Sequence, residues 1–222
     1  MAELPLNYHP GTQWQYSNAT DVVARLVEVI SGKSFDEFLR QRIFEPLEMM
    51  DTSHYLDRSK ADRLASRYRP GEGGQIVLAD PGSIKSRLVS GSKTLFLGSR
   101  GLLSTADDYV RFQQMMLNGG ELEGARLLGR KTIELMFANH TGGMFDRPGQ
   151  GFGLGYAIVL DRGAAGTPQT EGTGYWGGAH GTRFWVDREE ELIGILMIQV
   201  LPNNHLDIHQ EFRNLVYQAI VD

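Results

Sequence analysis

The chain contains no cysteine. Disulfides, thiolate zinc sites and cysteine nucleophiles are therefore excluded, although this does not fix a compartment. No single sign of charge dominates either. Acids and bases are mixed along 222 residues and net to −5. No basic patch points to nucleic acid, and no lysine-rich tail points to a membrane surface. Long hydrophobic runs are missing as well. The longest, Leu192 to Leu201, contains Gln199 and falls far short of the about 20 residues that span a bilayer. We read it as a buried strand. The opening MAELPLNYHPG has neither a charged n-region nor an apolar h-region, so it is not expected to act as a signal peptide. A soluble chain of unspecified compartment is expected. There is no repeat at a solenoid period and no low-complexity tract, and TGG and GEGG have neither P-loop nor Rossmann spacing. What is present is an ordinary composition, 41% hydrophobic and 22% charged, in a chain long enough to bury a core.

Helical patterns fill the first two-thirds. Residues 19–31 place Val22, Val23, Leu26, Val27 and Ile30 on one face, with Asn18 or Thr20 to cap the start and Gly32 to end it. Ser34 and Glu37 form a capping-box pattern before Phe35, Phe38, Leu39 and Ile43, and that helix should stop before Pro46. Residues 51–100 are irregular, with a short strand at 75–79. Thr105 and Asp108 cap a helix carrying Tyr109, Phe112 and Met116, and another runs from about Arg130 to Asn139. Then the period changes. Phe152, Leu154, Tyr156, Ile158 and Leu160 alternate as in one strand. Thr182–Asp187 and Leu192–Val200 read as a hairpin about the turn Arg188 to Glu191. Ile208, Phe212, Leu215, Val216 and Ala219 form the buried stripe of a last helix. This segregation predicts an α+β fold with an antiparallel sheet. Residues 192–198 are apolar on both faces, as in a central strand, yet only one neighbour is evident. An open flank there is a pairing site.

Three features could carry chemistry. Tyr16 and Asn18 stand two apart at the mouth of the first helix, where a packed ring and a simple helix cap are the alternative to catalysis. Ser90-Gly91-Ser92-Lys93 fits Ser-x-x-Lys, but TLFLGSRG after it has no sustained helical stripe. A nucleophilic serine must share a helical turn with its lysine, so Ser90 and Lys93 read as a chance match. His205 and His209 are four apart on the last helix without an evident third ligand, so no metal site is assigned and both read as solvated.

Three blocks in order carry a resemblance. HPGTQWQYSNATDVVARLVEVISGKSFDEFLRQRIFEPLEMMDTS contains Tyr-x-Asn, GLLSTADDYVRFQQMMLNGGELEGARLLGRKTIELM follows, and GYWGGAHGTRFWVDREEELIGILMIQV comes last. From about residue 5 onward the chain resembles the penicillin-recognising serine hydrolases: class C β-lactamases, D-alanyl-D-alanine peptidases and a family VIII-type carboxylesterase branch. The resemblance implies a β-lactamase/transpeptidase-like α+β fold, present in part. Residues 5–150 would be its mainly helical region, and residues 151–222 its sheet strands and C-terminal helix. It implies hydrolysis through a serine acyl-enzyme, with no cofactor. Tyr16 would relay the proton, and Asn18 would hold the substrate carbonyl or the lysine. A phenol, with pKa about 10, needs a nearby cation or donor for that role. Trp176, Gly177 and Gly178 fall where the family has Lys-Thr-Gly, and the Ala179 N–H would be half of an oxyanion hole. His180 would add a polar contact or positive charge; a bare exposed histidine is the alternative. Losing the motif lysine to Trp176 favours esters or other uncharged acyl substrates over β-lactams.

The family's Ser-x-x-Lys lies upstream of Tyr-x-Asn, and no serine precedes Tyr16. The resemblance therefore implies the C-terminal portion of a longer hydrolase. The whole protein would act on a small ester, amide or lactam, and this chain alone would be inactive. The alternative is a non-catalytic binding or assembly domain that self-associates along Leu192–Val200.

Overall fold

The computed structural model describes residues 5–204 and 206–221. The first apolar pattern forms helix α1, Ala19–Ser31, closed by Gly32 in the left-handed conformation with φ 69°. Asn18 occupies the capping position without a side-chain cap bond, and the Ser17 hydroxyl accepts the Ala19 N–H instead, at 3.1 Å. Only Ala24 of this helix is buried; Val22, Val23, Leu26, Val29 and Ile30 are each more than half exposed. The apolar face is real, but nothing among the described residues covers it.

Helix α2, Phe35–Leu39, runs into a π-helical turn, Arg40–Phe44, and ends ahead of Pro46. Its expected capping box does not form. Glu28 of α1 accepts the Phe35 N–H at 3.1 Å, and Glu37 pairs with Gln41 instead. A small hairpin, β1 (Arg67–Pro70) with β2 (Ile76–Asp80), meets the strand expected near 75–79. The one-turn helix α3 spans Arg87–Ser90. Helix α4, Ala106–Leu117, starts as expected, with Thr105 Oγ1 accepting the Asp108 N–H at 3.1 Å. The Asp108 carboxylate turns away from the cap and accepts the Asp51 N–H at 2.7 Å and the Thr52 hydroxyl at 2.8 Å. A two-residue ladder, β3 (Glu121–Leu122) and β4 (Ala125–Arg126), leads into α5, Arg130–Met136.

The main sheet has five antiparallel strands in chain order: β5 (Gln150–Phe152), β6 (Ala157–Val159), β7 (Gly174–Gly177), β8 (Arg183–Asp187) and β9 (Leu192–Leu196). A short helix, α6 (Arg162–Ala165), precedes β7, and α7 (Ile208–Gln218) closes the fold. The alternation from Phe152 to Leu160 is two strands rather than one. Gly155, at φ 96°, reverses the chain between them, and the alternation continues across the turn only because glycines occupy the odd positions.

Register sorts the two sheet faces. Trp176 pairs with Phe184, Gly174 with Val186, and Val186 with Ile193. Val186 and Ile158 share a core with Leu47, Met115, Met116, Ile133 and Phe137 from the helical region, against which Phe184 also packs. Burial of each such side chain contributes about 1.5–3 kcal/mol. On the opposite face Trp185 packs against Phe212 and Tyr217 of α7, with ring centroids 5.6 and 6.3 Å apart. The last helix buries less than its stripe suggests: Phe212 and Val216 are half-buried, but Ile208 and Leu215 are exposed. The outer flank of β9 has no partner strand among the described residues. Beyond it the chain does have a partner, because Tyr68 of β1 exchanges bonds with Gln199 and Leu201 at 2.8 and 3.0 Å. The open flank is thus shorter than the expected Leu192–Val200.

One carboxylate joins the sheet to α7. Asp187, almost wholly buried, accepts the Thr170 N–H at 3.1 Å, the Tyr217 hydroxyl at 2.6 Å, and the Glu189 and Glu190 N–H groups at 3.3 Å. Burial alone would raise its pKa, but these donors outweigh burial and lower it below 3.8. Because the folded value is depressed, the stability Asp187 contributes is present above its unfolded value and lost as pH falls through the folded one. Asp187→Ala strands these donors and should cost about 3 kcal/mol in urea unfolding at pH 7. The penalty should shrink as pH falls through the folded value and the wild-type carboxyl takes up its proton.

Candidate active site

Tyr16 lies in an extended segment fixed at both ends. Upstream, Trp14 packs edge-on against Phe145 at 4.8 Å and against Phe152 at 5.2 Å. Downstream, Asp21 in the first turn of α1 accepts the Ser99 N–H at 2.8 Å. Gly98 sits so close to the Thr20 carbonyl that a Cβ there would overlap it. Between these anchors the Tyr16 ring stands 6.0 Å from the Trp176 ring, which lies edge-on to Phe152 at 5.0 Å. Two residues from opposite ends of the chain are thereby brought to one surface. Tyr16 is 69% exposed, and its hydroxyl has no hydrogen-bond partner among the described residues. Asn18 follows on the same segment, its side chain likewise without a bonded partner among them.

Trp176 is the penultimate residue of β7, which Gly177 ends before the chain enters a tight turn. The Gly181 N–H donates to the Gly178 carbonyl at 3.0 Å, and Gly178 N–H to the Thr182 carbonyl at 2.9 Å. Gly181 adopts φ 99°, which favours glycine. Asn203 clamps the turn by donating to the Ala179 carbonyl at 2.7 Å, and the Val200 N–H donates to the His180 carbonyl at 2.8 Å. The carbonyls of this turn are thus engaged. The Ala179 N–H has no acceptor among the described residues, and Ala179 is exposed. A rigid turn holding a free amide is the arrangement that stabilises an oxyanion.

Gly177 and Gly178 are needed for packing. A Cβ on Gly177 would overlap the Arg183 guanidinium and lie 2.6 Å from the Thr182 carbonyl oxygen, and one on Gly178 would overlap Thr182 Oγ1. Arg183, half-buried, donates to the Thr182 and Gly178 carbonyls at 2.8 and 3.2 Å.

His180 is half-buried, and burial foremost, then the charge of Arg67, lowers its pKa. Both effects disfavour the positive charge that the resemblance allowed it. His209 donates from Nε2 to the Gly181 carbonyl at 2.8 Å, so it props the same turn rather than standing free in solvent. His205 lies outside the described residues. Ser90 is the last residue of α3, and its hydroxyl donates to the Ser86 and Lys85 carbonyls at 3.0 and 3.3 Å. Lys93 lies beyond Gly91, outside that helix, and lines a cavity of about 280 Å³ with His54, Tyr55 and Phe96. Neither Tyr16 nor Trp176 borders this cavity.

Sequence reasoning missed the frame around Trp176. Phe152 walls it, backed by Trp14 and Phe145, and Arg147 stands over it, with Cζ 5.8 Å from the Trp176 ring and 5.3 Å from that of Phe145. The only trace in the sequence is an arginine in a Gly- and Pro-rich loop before a strand.

Residues 1–218 match the family model described as Beta-lactamase. The chain is 30% identical to lovastatin esterase of Penicillium rubens over 98% of its own length and 59% of that protein. It is also 30% identical to esterase EstB of Burkholderia gladioli, over 89% of this chain and 52% of EstB. Among solved structures, EstCE1, a hydrolase with promiscuous acyltransferase activity, superposes with a TM-score of 0.79 at 24% identity. That superposition covers 97% of this chain and 59% of EstCE1, and the likeness shows a shared fold. The chain spans about half, 54%, of the length of the first curated relatives it matches.

Gly177→Ala tests the packing beneath the turn. It should lower stability by about 1–3 kcal/mol in chemical denaturation, because the Thr182 carbonyl cannot swing aside as a side chain would.

Proposed function

The chain belongs to the beta-lactamase family, and on that premise we propose that it provides the proton-relay and oxyanion elements of a serine ester hydrolase. The observation that carries this reading is the 6.0 Å approach of Tyr16 to Trp176, beside the free Ala179 N–H. In the proposed reaction a serine oxygen attacks the ester carbonyl carbon and gives its proton to the base, the Tyr16 phenolate assisted by a lysine. The carbonyl oxygen becomes an oxyanion held by the Ala179 N–H and the serine's own N–H. Collapse expels the alkoxide, which takes its proton from Tyr16. Water then cleaves the acyl-enzyme by the same steps. Asn18 would orient the carbonyl or the lysine. Names of relatives support esters over lactams.

No serine of the described site is assigned as nucleophile. Ser90, the literal match, is bonded to its own helix and separated from Lys93 by the helix end. We therefore propose that the serine and lysine of the whole protein lie outside these 222 residues, and that this chain alone turns over nothing. A fluorophosphonate probe should leave the chain unlabelled, and 4-nitrophenyl butyrate should show neither burst nor turnover. Stoichiometric labelling of any serine here overturns that statement, and labelling at Ser90 makes the Ser90–Lys93 pair the nucleophilic site. Once the chain is joined to a segment bearing Ser-x-x-Lys, Tyr16→Phe should lower kcat about 10²–10⁴-fold without changing the melting temperature.

A second reading is favoured by a specific observation. The outer flank of β9 and the apolar face of α1 are both uncovered among the described residues. In this reading the domain assembles, with Leu192–Leu196 pairing with the same strand of a second copy. Light scattering after size exclusion should then give a dimer at micromolar concentration that Ile195→Lys converts to monomer. A monomeric wild type sinks this reading.

A further inference from the structure

The family motif's lysine is replaced by Trp176, which leaves β7 without a cation. A cation is nevertheless present. Arg147 lies on the loop between α5 and β5, and its guanidinium stands over the Trp176 face at 5.8 Å. The loop is held on both sides of it. Phe145, 4% exposed, is packed edge-on against Trp14, and Gly149 lies so close to the Asp161 carbonyl that a side chain there would overlap it. The Arg147 N–H donates to the Phe145 carbonyl at 2.7 Å, and the Gln150 N–H donates to the Arg147 carbonyl at 3.2 Å.

The charge on this arginine is not neutralised. Arg63, Arg67 and Arg111 each meet a carboxylate, whereas among the described residues none lies within 4.0 Å of the Arg147 guanidinium. A second guanidinium, Arg183, sits beneath Gly177 and is bonded to carbonyls alone. Burial first, and then the charge of Arg147, lowers the Arg183 pKa, so the two cations feel each other across the Trp176 strand. Two like charges held about one strand, with aromatic walls and no counter-ion, complement an anion with an apolar body.

We infer that Arg147 takes the place of the motif lysine as a specificity-determining residue, selecting esters whose acyl part carries a carboxylate. The inference rests on the esterase reading of the Tyr16–Trp176 site and replaces the uncharged acyl groups expected from the loss of the motif lysine with anionic ones. The acyl body lies against Trp176, Phe152 and Tyr16, and the carboxylate reaches over the indole to the guanidinium. Arg147 is a planar, always-charged fork suited to bidentate carboxylate recognition, so lysine replaces it poorly.

The test is a binding comparison on the 222-residue chain, using monobenzyl succinate and its neutral counterpart, benzyl methyl succinate. Affinities come from calorimetry, and indole ¹H–¹⁵N shifts locate the ligand at Trp176. Wild type should bind the monoester about ten-fold more tightly than the diester, with Trp176 shifted by both. Arg147→Gln should abolish that preference without changing the melting temperature, and Arg147→Lys should keep it only in part. Equal affinity for the two probes, or a preference that survives Arg147→Gln, overturns the inference and leaves the esterase reading standing. If neither probe shifts Trp176, both fall.

Discussion

The sheet is built around glycines that other side chains require to be bare. At Gly194 a Cβ would overlap the Trp185 indole, at Gly174 the Phe137 ring, and at Gly177 the Arg183 guanidinium. Each large group lies flat across a backbone that offers no Cβ, so the packing is dense without a matching row of large residues. This constraint sets the depth of β7 between β6 and β8 and hence where Trp176 emerges. The candidate site inherits its geometry from that fit. Asp187 adds the second tie, since its carboxylate gathers donors from the loop before β7, the β8–β9 turn and α7.

The site itself joins two parts with different rigidity. The 178–181 turn is clamped by Asn203, Val200 and His209, each contributing a bond to a carbonyl of the turn. Fixed carbonyls mean a fixed amide plane, which is what the proposed role of the Ala179 N–H requires. The Tyr16 segment is held instead by ring packing at Trp14 and by the Asp21–Ser99 bond. Its phenol is left free to meet a partner. The aromatic rings around Trp176 couple the two parts, and Arg147 adds charge beside them.

Uncovered apolar surface tells the same story at two places. Helix α1 turns Val22, Val23, Leu26, Val29 and Ile30 outward, and β9 leaves its outer flank unpaired among the described residues. A strongly amphipathic helix forms because one face is meant to be buried, so exposure of that face marks a surface suited to a further layer. For β9 the two-sided apolar run already indicated this from sequence. For α1 it did not, because an amphipathic pattern says that a face is apolar and never what lies against it. The same holds for α7, where only Phe212 and Val216 of the expected stripe meet the sheet.

Local chemistry was legible in the residues alone. The starts and ends of α1 and α4 and the β8–β9 hairpin follow from propensity, capping and spacing, which act over a few residues, whereas the Tyr-x-Asn and Trp-Gly-Gly positions were marked only by the family resemblance. Errors arose where distant groups competed for local ones. Glu28 displaced the Ser34 cap, Asp108 was drawn to Asp51 and Thr52, and Gly155 split one alternating run into two strands. Only the folded chain could place Tyr16 beside Trp176, lower the His180 pKa by burial and bring Arg147 over the indole. Those properties depend on proximity between segments far apart in the chain, and on desolvation, neither of which a linear pattern encodes.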